Sequence, residues 1–241
     1  MNEFQTPVAT PDGHMDCFVC HPGTGANPAV LVYMDAPGIR EELRDMCRHI
    51  AAQGYAVILP DLYYRDGTVR FDLTKGNEEF KRMFAQVARL SVEMIMRDTQ
   101  GLLDYCAASE FVAGPTGCVG YCMSGQFVVA AAGTYPDQIA AAASLYGTRI
   151  VTDQADSPHL LANRIKGELY LGFAEHDHYV EDFVVPELSA ALDAAGVTYV
   201  LETHPGTEHG FCFPQRPAYN EAAAEKVWGR LFDLYGRTLK A

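Results

Sequence analysis

Two rhythms of apolar and polar residues alternate along this chain. Residues 29–35, AVLVYMD, form a short apolar run of the kind that makes a buried strand. Over 41–53 the apolar residues Leu43, Met46, Cys47 and Ile50 recur at three- and four-residue spacing. That spacing predicts a helix, and Gly54 ends it. Residues 14–20 and 55–60 predict strands, with a loop over 61–72. Residues 77–108 read as mostly helical, 116–121 as a strand and 125–135 as a helix rich in small residues. Residues 139–146 are ambiguous by composition, but their position favours a strand. Further strands are predicted at 168–173 and 199–204, with a helix over 184–195 between them. Residues 217–239 close the chain as an amphipathic helix. No internal repeat, low-complexity tract or charge block marks a linker, so a single domain is expected over 1–241.

Strands that alternate with helices predict an α/β fold: a mostly parallel sheet with helices on both faces. Such sheets carry their functional groups at the carboxyl ends of the strands. A length of 241 residues suits one large α/β domain, and 49% hydrophobic residues can bury a sizeable core. The balance of 18 basic against 31 acidic residues leaves a net charge of −13. This charge repels phosphate backbones and anionic lipid, so it disfavours nucleic acid and membrane as partners. An anionic substrate would need a local Arg or Lys. The first eleven residues contain Glu3 and no basic, apolar stretch, and so do not read as a signal peptide. The apolar runs at 29–34 and 127–132 are too short to span a bilayer, which makes the cytoplasm the expected location. Seven cysteines, an odd and irregularly spaced set, point to reduced thiols and not to a disulfide framework.

The chemistry concentrates at one strand–helix junction. Residues 117–125 read GCVGYCMSG: an apolar strand runs into Gly120-Tyr121-Cys122-Met123-Ser124, and a small-residue helix follows at once. This is the spacing of a nucleophile elbow with Cys in the place more often held by Ser. The residues two before and two after the apex must be small, because strand and helix approach closely there. Gly120 and Ser124 meet that need, and Gly125 gives further room. A helix N-terminus favours a thiolate at Cys122, and the Met123 N–H points toward a developing oxyanion. Ser124 is the alternative nucleophile, but it lies a turn into the helix. Cys47, Cys106, Cys118 and Cys212 read as buried structural thiols.

In such a fold the chain order is nucleophile, acid, histidine. The strand at 168–173 runs into Ala174-Glu175-His176-Asp177-His178-Tyr179, and the strand at 199–204 runs toward Glu208-His209-Gly210-Phe211. His209, followed by Gly, suits a mobile base at the solvent edge. Asp177 would hold its tautomer, with Glu175 and Asp182 as near alternatives.

Taken together, these segments resemble the dienelactone hydrolase family of α/β-hydrolases. The elbow, Gly120-Tyr121-Cys122-Met123-Ser124-Gly125, is similar to a G-Y-C-x-G-G pattern with Ser124 at the first closing Gly, Asp177-His178-Tyr179-Val180 matches a D-H-x-V pattern, and His209-Gly210-Phe211 matches an H-G-F pattern. Residues 53–57 and 60–65 also look like the family, and the resemblance runs from about His14 to the last helix. It favours Asp177 over Glu175. It implies hydrolysis of a small ester or lactone, of carboxymethylenebutenolidase type, through a cysteine acyl-enzyme and without cofactor. It further implies an acidic residue beside the nucleophile, here Asp35 where the family more often has Glu, and a second oxyanion donor at Ala36. By the residues alone, Asp35 could equally cap the helix that follows Pro37-Gly38. Family members that act on dienelactone hold its carboxylate with arginines, one of them four residues past the histidine. Phe213 stands there in this chain, Arg216 lies further on, and Lys81 or Arg82 falls roughly where another would be.

Other segments carry weaker signals. Cys17-Phe18-Val19-Cys20-His21 spells a haem-attachment pattern, but within a strand it reads as two cysteines on opposite faces. His176, His178, His204 and His209 lack the helical spacing of a zinc hydrolase, so no metal is expected. Asp61 and Arg65 read as braces of a loop more than as pocket walls. A general carboxylesterase or thioesterase, or an inactive ligand-binding relative, are the alternatives on the same fold.

Overall fold

The computed structural model describes residues 1–240. Its packing divides the chain into two compact units, 1–114 and 115–241. The first strand, β1 (Asn2–Thr10), carries no apolar alternation because it is exposed on both faces over most of its length. It forms through backbone pairing instead, running antiparallel to β2 (Gly13–His21) in unbroken register from Asn2↔His21 to Thr10↔Gly13. β3 (Asn27–Tyr33) and β4 (Ala56–Pro60) are the buried apolar runs, and they pair in parallel. The order within this unit is β1-β2-β4-β3.

Helix α1 (Glu41–Ala52) buries Leu43, Met46, Cys47 and Ile50 against β2 and β4, which is the face its spacing predicts. The long helical stretch at 77–108 divides into α2 (Asn77–Val87) and α3 (Val92–Ala108). Ser91 makes the division by accepting a hydrogen bond from the Met94 N–H as the N-cap of α3. The loop at 61–72 is braced internally. Asp61 accepts from the Tyr63 N–H and from the Arg70 guanidinium at 2.8 Å. Arg65 donates to both carboxylate oxygens of the buried Asp98 on α3.

In the second unit parallel pairing is complete: β5 (Val112–Tyr121), β6 (Ile139–Leu145), β7 (Glu168–His176) and β8 (Tyr199–Glu208) lie in that order. Helix α4 (Gly125–Thr134) is buried along nearly its whole length and packs on β6, which explains its small, apolar composition. A 3-10 segment at Pro158–Arg164, absent from the sequence reading, packs on α4 and on α5 (Val184–Ala195). The last helix, α6 (Glu221–Leu239), begins four residues later than its pattern suggests. Asn220 caps it through the Ala223 N–H, and 217–219 lie in the preceding turn. Among the described residues no helix is long and apolar enough to cross a membrane.

Candidate active site

Strand β5 ends at Tyr121, and the chain turns at once through a 3-10 turn, Cys122–Ser124, into α4. Cys122 sits at the apex with φ of 56°, in the left-handed region that non-glycine residues rarely occupy. Holding a side chain there costs about 1–3 kcal/mol, which the surrounding packing must offset. The packing is close. A Cβ on Gly120 would stand 2.5 Å from the Ser124 carbonyl oxygen. A Cβ on Gly125 would stand 2.5 Å from Ser144 Oγ and closer still to the Gly147 Cα. The Thr148 N–H donates to the Cys122 carbonyl at 3.0 Å and pins the apex from the far side. Met123, the residue after the apex, is buried, and Ser124 is wholly inaccessible.

Cys122 is half-buried, whereas the other six cysteines are buried. Burial pushes the Cys20 and Cys106 thiols up to about 12, and it raises the Cys17, Cys47, Cys118 and Cys212 thiols as well. Cys17 and Cys20 belong to β2, where the Cys17 thiol contacts the Met15 carbonyl.

Parallel pairing of β7 with β8 brings their carboxyl ends side by side, with a register shift between Ala174↔His204 and His176↔Glu208. Asp177 and His209 are the next residues on the two strands, so they meet. His209 Nδ1 lies 2.8 Å from Asp177 Oδ2, and the Tyr179 N–H donates to Asp177 Oδ1 at 3.0 Å. With Nδ1 engaged, Nε2 is the nitrogen left to act. It is buried and makes no well-aligned hydrogen bond. Burial works to lower the His209 pKa. The hydrogen bond to Asp177 and the proximity of the Cys122 sulfur outweigh it, and the value rises to about 9.

The neighbouring carboxylates have other partners or positions. Glu175 Oε2 accepts the Gly206 N–H within β8 at 2.6 Å, and Asp182 is exposed. The expectation of a solvent-edge histidine is corrected: the His209 side chain is 7% exposed and that of Asp177 is 4% exposed. The rings of Tyr146, just past β6, and of Tyr179 both meet the imidazole edge-to-face, and neither stands out in the sequence. The one legible hint is their place near the carboxyl ends of the predicted strands at 139–146 and 168–173. The four histidines weighed as metal ligands turn to separate partners: His176 to Glu175, His178 to the Tyr179 ring, His204 to Tyr170 and His209 to Asp177.

The remaining residues singled out by sequence lie as follows. Arg216 lays its guanidinium over the Phe213 ring at 4.5 Å and flanks Gly210, the residue after His209. In the first unit, Asp35 is fully buried, and Arg40 donates to its two carboxylate oxygens at 2.6 and 3.2 Å and to Glu42 at 2.7 Å. The capping reading of Asp35 is therefore overturned, because α1 starts at Arg40 without a side-chain cap. Ala36 is buried, and its carbonyl accepts from the Tyr63 hydroxyl at 2.8 Å. Arg82 is exposed, pairs with Glu79 at 2.5 Å and covers the Phe71 ring. Lys81 pairs with Glu78 on the same helix.

A thiol at a strained strand–helix apex, followed in chain order by a carboxylate and a histidine at successive strand ends, defines the chain as an α/β-hydrolase. It belongs to the dienelactone hydrolase family, whose pattern it matches over residues 15–239. A Synechocystis protein named "Putative carboxymethylenebutenolidase" is 28% identical over 222 residues, covering 90% of this chain and 88% of that protein. The crystal structure of a "Putative Dienelactone Hydrolase" from Klebsiella pneumoniae superposes with a TM-score of 0.87 at 24% identity, over 98% of each chain. Dienelactone hydrolase from Anabaena variabilis superposes with a TM-score of 0.68 at 15% identity, over 99% of this chain and 98% of that one. The chain is thus a hydrolase of the dienelactone hydrolase family.

Proposed function

We propose that this hydrolase cleaves a small ester or lactone through a thioester on Cys122. The observation that carries the reading is the buried Asp177–His209 pair, with Nδ1 held at 2.8 Å and the imidazole within electrostatic influence of the Cys122 sulfur. A histidine whose pKa stands at about 9 is an imidazolium at neutral pH, and an imidazolium stabilises a thiolate beside it. The thiolate attacks the carbonyl carbon, a C–S bond forms, and the charge moves to the carbonyl oxygen. The Met123 N–H is the proposed oxyanion donor. Each such donor is worth roughly 3–4 kcal/mol in the transition state.

Collapse breaks the C–O bond, and the leaving alkoxide takes the His209 proton. In a lactone it stays attached as the opened ring. The neutral His209 then draws a proton from water as the water attacks the thioester, and the thiolate is expelled beside a restored imidazolium. Asp177 keeps the imidazole in the tautomer with hydrogen on Nδ1 throughout. Every step uses side chains of the protein and water, with no cofactor. Arg216, beside the His209-Gly210 turn, is the proposed seat for a negative group on the substrate.

The test is hydrolysis of dienelactone and of p-nitrophenyl acetate by wild type and by Cys122→Ala, both in EDTA. Turnover by wild type that the variant loses supports the reading, and the faster ester directs the search for the substrate. Equal turnover by the two proteins refutes it.

A further inference from the structure

Two tyrosine rings pack against the His209 ring. Tyr146 meets it at 5.1 Å between ring centroids and 66° between planes, and Tyr179 at 4.8 Å and 67°. Both are edge-to-face arrangements of the kind aromatic rings prefer. Tyr146 is the inner jaw. It is inaccessible, sits in the left-handed backbone region with φ of 40°, and rests on Phe211 and Phe213. A bulky residue in that region is strained, and such strain gathers at functional sites.

Tyr179 is the outer jaw. It is 39% exposed, and its ring is backed by His178 at 4.0 Å. Tyr179 also reaches the other half of the pair, because its own N–H donates to Asp177 Oδ1 while Asp177 Oδ2 holds His209.

We infer that Tyr179 is a positioning residue that closes an aromatic clamp on His209, holding the imidazole plane against Tyr146 and keeping water from the His209–Asp177 hydrogen bond. The backbone N–H orients the carboxylate and the ring orients the base, so one residue sets the geometry of both. The ring does the positioning and the hydroxyl does not. Exposure of the side chain means that it can be shortened without opening the core.

The inference rests on the proposed role of His209, so Cys122→Ala is run in parallel to test that role. In Tyr179→Ala the backbone N–H to Asp177 remains and the ring is lost. On the ester that wild type turns over, kcat should fall at least tenfold with KM changed less than about threefold, at an unchanged melting temperature. Tyr179→Phe should restore most of the lost rate. The independent readout is the His209 Nδ1–H proton in one-dimensional NMR: downfield and visible in wild type and Tyr179→Phe, and broadened by exchange with water in Tyr179→Ala. A Tyr179→Ala protein with wild-type kcat, or with an unbroadened Nδ1–H resonance, overturns the inference. So does a Tyr179→Phe protein as impaired as the alanine variant, which would assign the role to the hydroxyl. If neither ester is turned over, the resonance alone decides the clamp, and the reading of His209 as a base stands or falls separately.

Discussion

Gly125 is the first residue of α4 and stands where the elbow has least room. Alanine there would place a Cβ 2.5 Å from Ser144 Oγ and closer still to the Gly147 Cα. Non-bonded carbon atoms settle at about 3.5–4.0 Å, so an ångström or more must be found. The nearest obstacle is backbone, and Ser144 is a buried strand residue on β6, so neither can rotate away. Overpacking of this kind typically costs 1–3 kcal/mol, and a backbone obstacle puts Gly125→Ala at about 3 kcal/mol. For a domain of this size each kcal/mol lowers the melting temperature by about 2–4 °C, which gives a fall of roughly 6–12 °C.

Gly229, on the exposed face of α6, supplies the control, since a Cβ there meets nothing within 4 Å. Gly229→Ala should stabilise by about 0.5–1 kcal/mol through helix propensity. Thermal unfolding followed by circular dichroism, with urea titration at 25 °C, measures both. The two variants carry the same chemical change and should move in opposite directions. A Gly125→Ala protein that melts within a degree of wild type would refute the argument that the elbow glycine is required by space.

Three further outcomes are expected. Asp177→Asn leaves the shape of the site intact but removes the charge that holds the His209 tautomer, and kcat should drop on the order of 10³–10⁴-fold. A loss under tenfold in an ester assay would mean that another group orients the base. Iodoacetamide at neutral pH should label Cys122 well ahead of the six buried cysteines, as read by peptide mass spectrometry. Comparable labelling of Cys20 or Cys106 in the folded protein would contradict the burial described here. The third outcome concerns pH. The His209 pKa is raised from 6.5 to about 9, so its protonated form stabilises the fold in full below about pH 6.5. That contribution is lost as the pH rises through about 9 and is on the order of 3 kcal/mol. Urea unfolding at pH 6.5 and pH 9.5 should show the loss in wild type and a much smaller one in His209→Gln. Equal slopes in the two proteins would remove His209 as its source.

Much of the second unit was legible because its signals are local. The elbow declares itself through small residues at fixed offsets from Cys122, and those offsets follow from the close approach of β5 and α4. The order Cys122, Asp177, His209 is readable because each residue follows its own strand, and parallel strands end on one side. The apolar periodicity of α1 named its buried face correctly for the same reason. Local pattern failed where stabilisation comes from a distant partner. β1 is exposed and unpatterned, and exists because β2 satisfies its backbone. The long helical stretch divides at Ser91 because a single side-chain cap there outweighs a continuous pattern. The start of α6 was misplaced because Asn220, a polar residue inside an apparently helical run, is its cap.

What the sequence determined by itself is membership of a hydrolase family, carried by a cysteine at strand–helix apex spacing with an acid and a histidine behind it in chain order. What only the tertiary structure decided is the environment of those groups. Whether His209 stands in water or against two rings depends on Tyr146 and Tyr179, which lie 63 and 30 residues before it in the chain. Whether Asp35 caps a helix or binds a guanidinium depends on how the segment before α1 turns Arg40 back upon it. Burial, ring contacts and charge pairs form between residues that folding brings together, and no window along the chain contains both partners of the pair that matters most, Asp177 and His209.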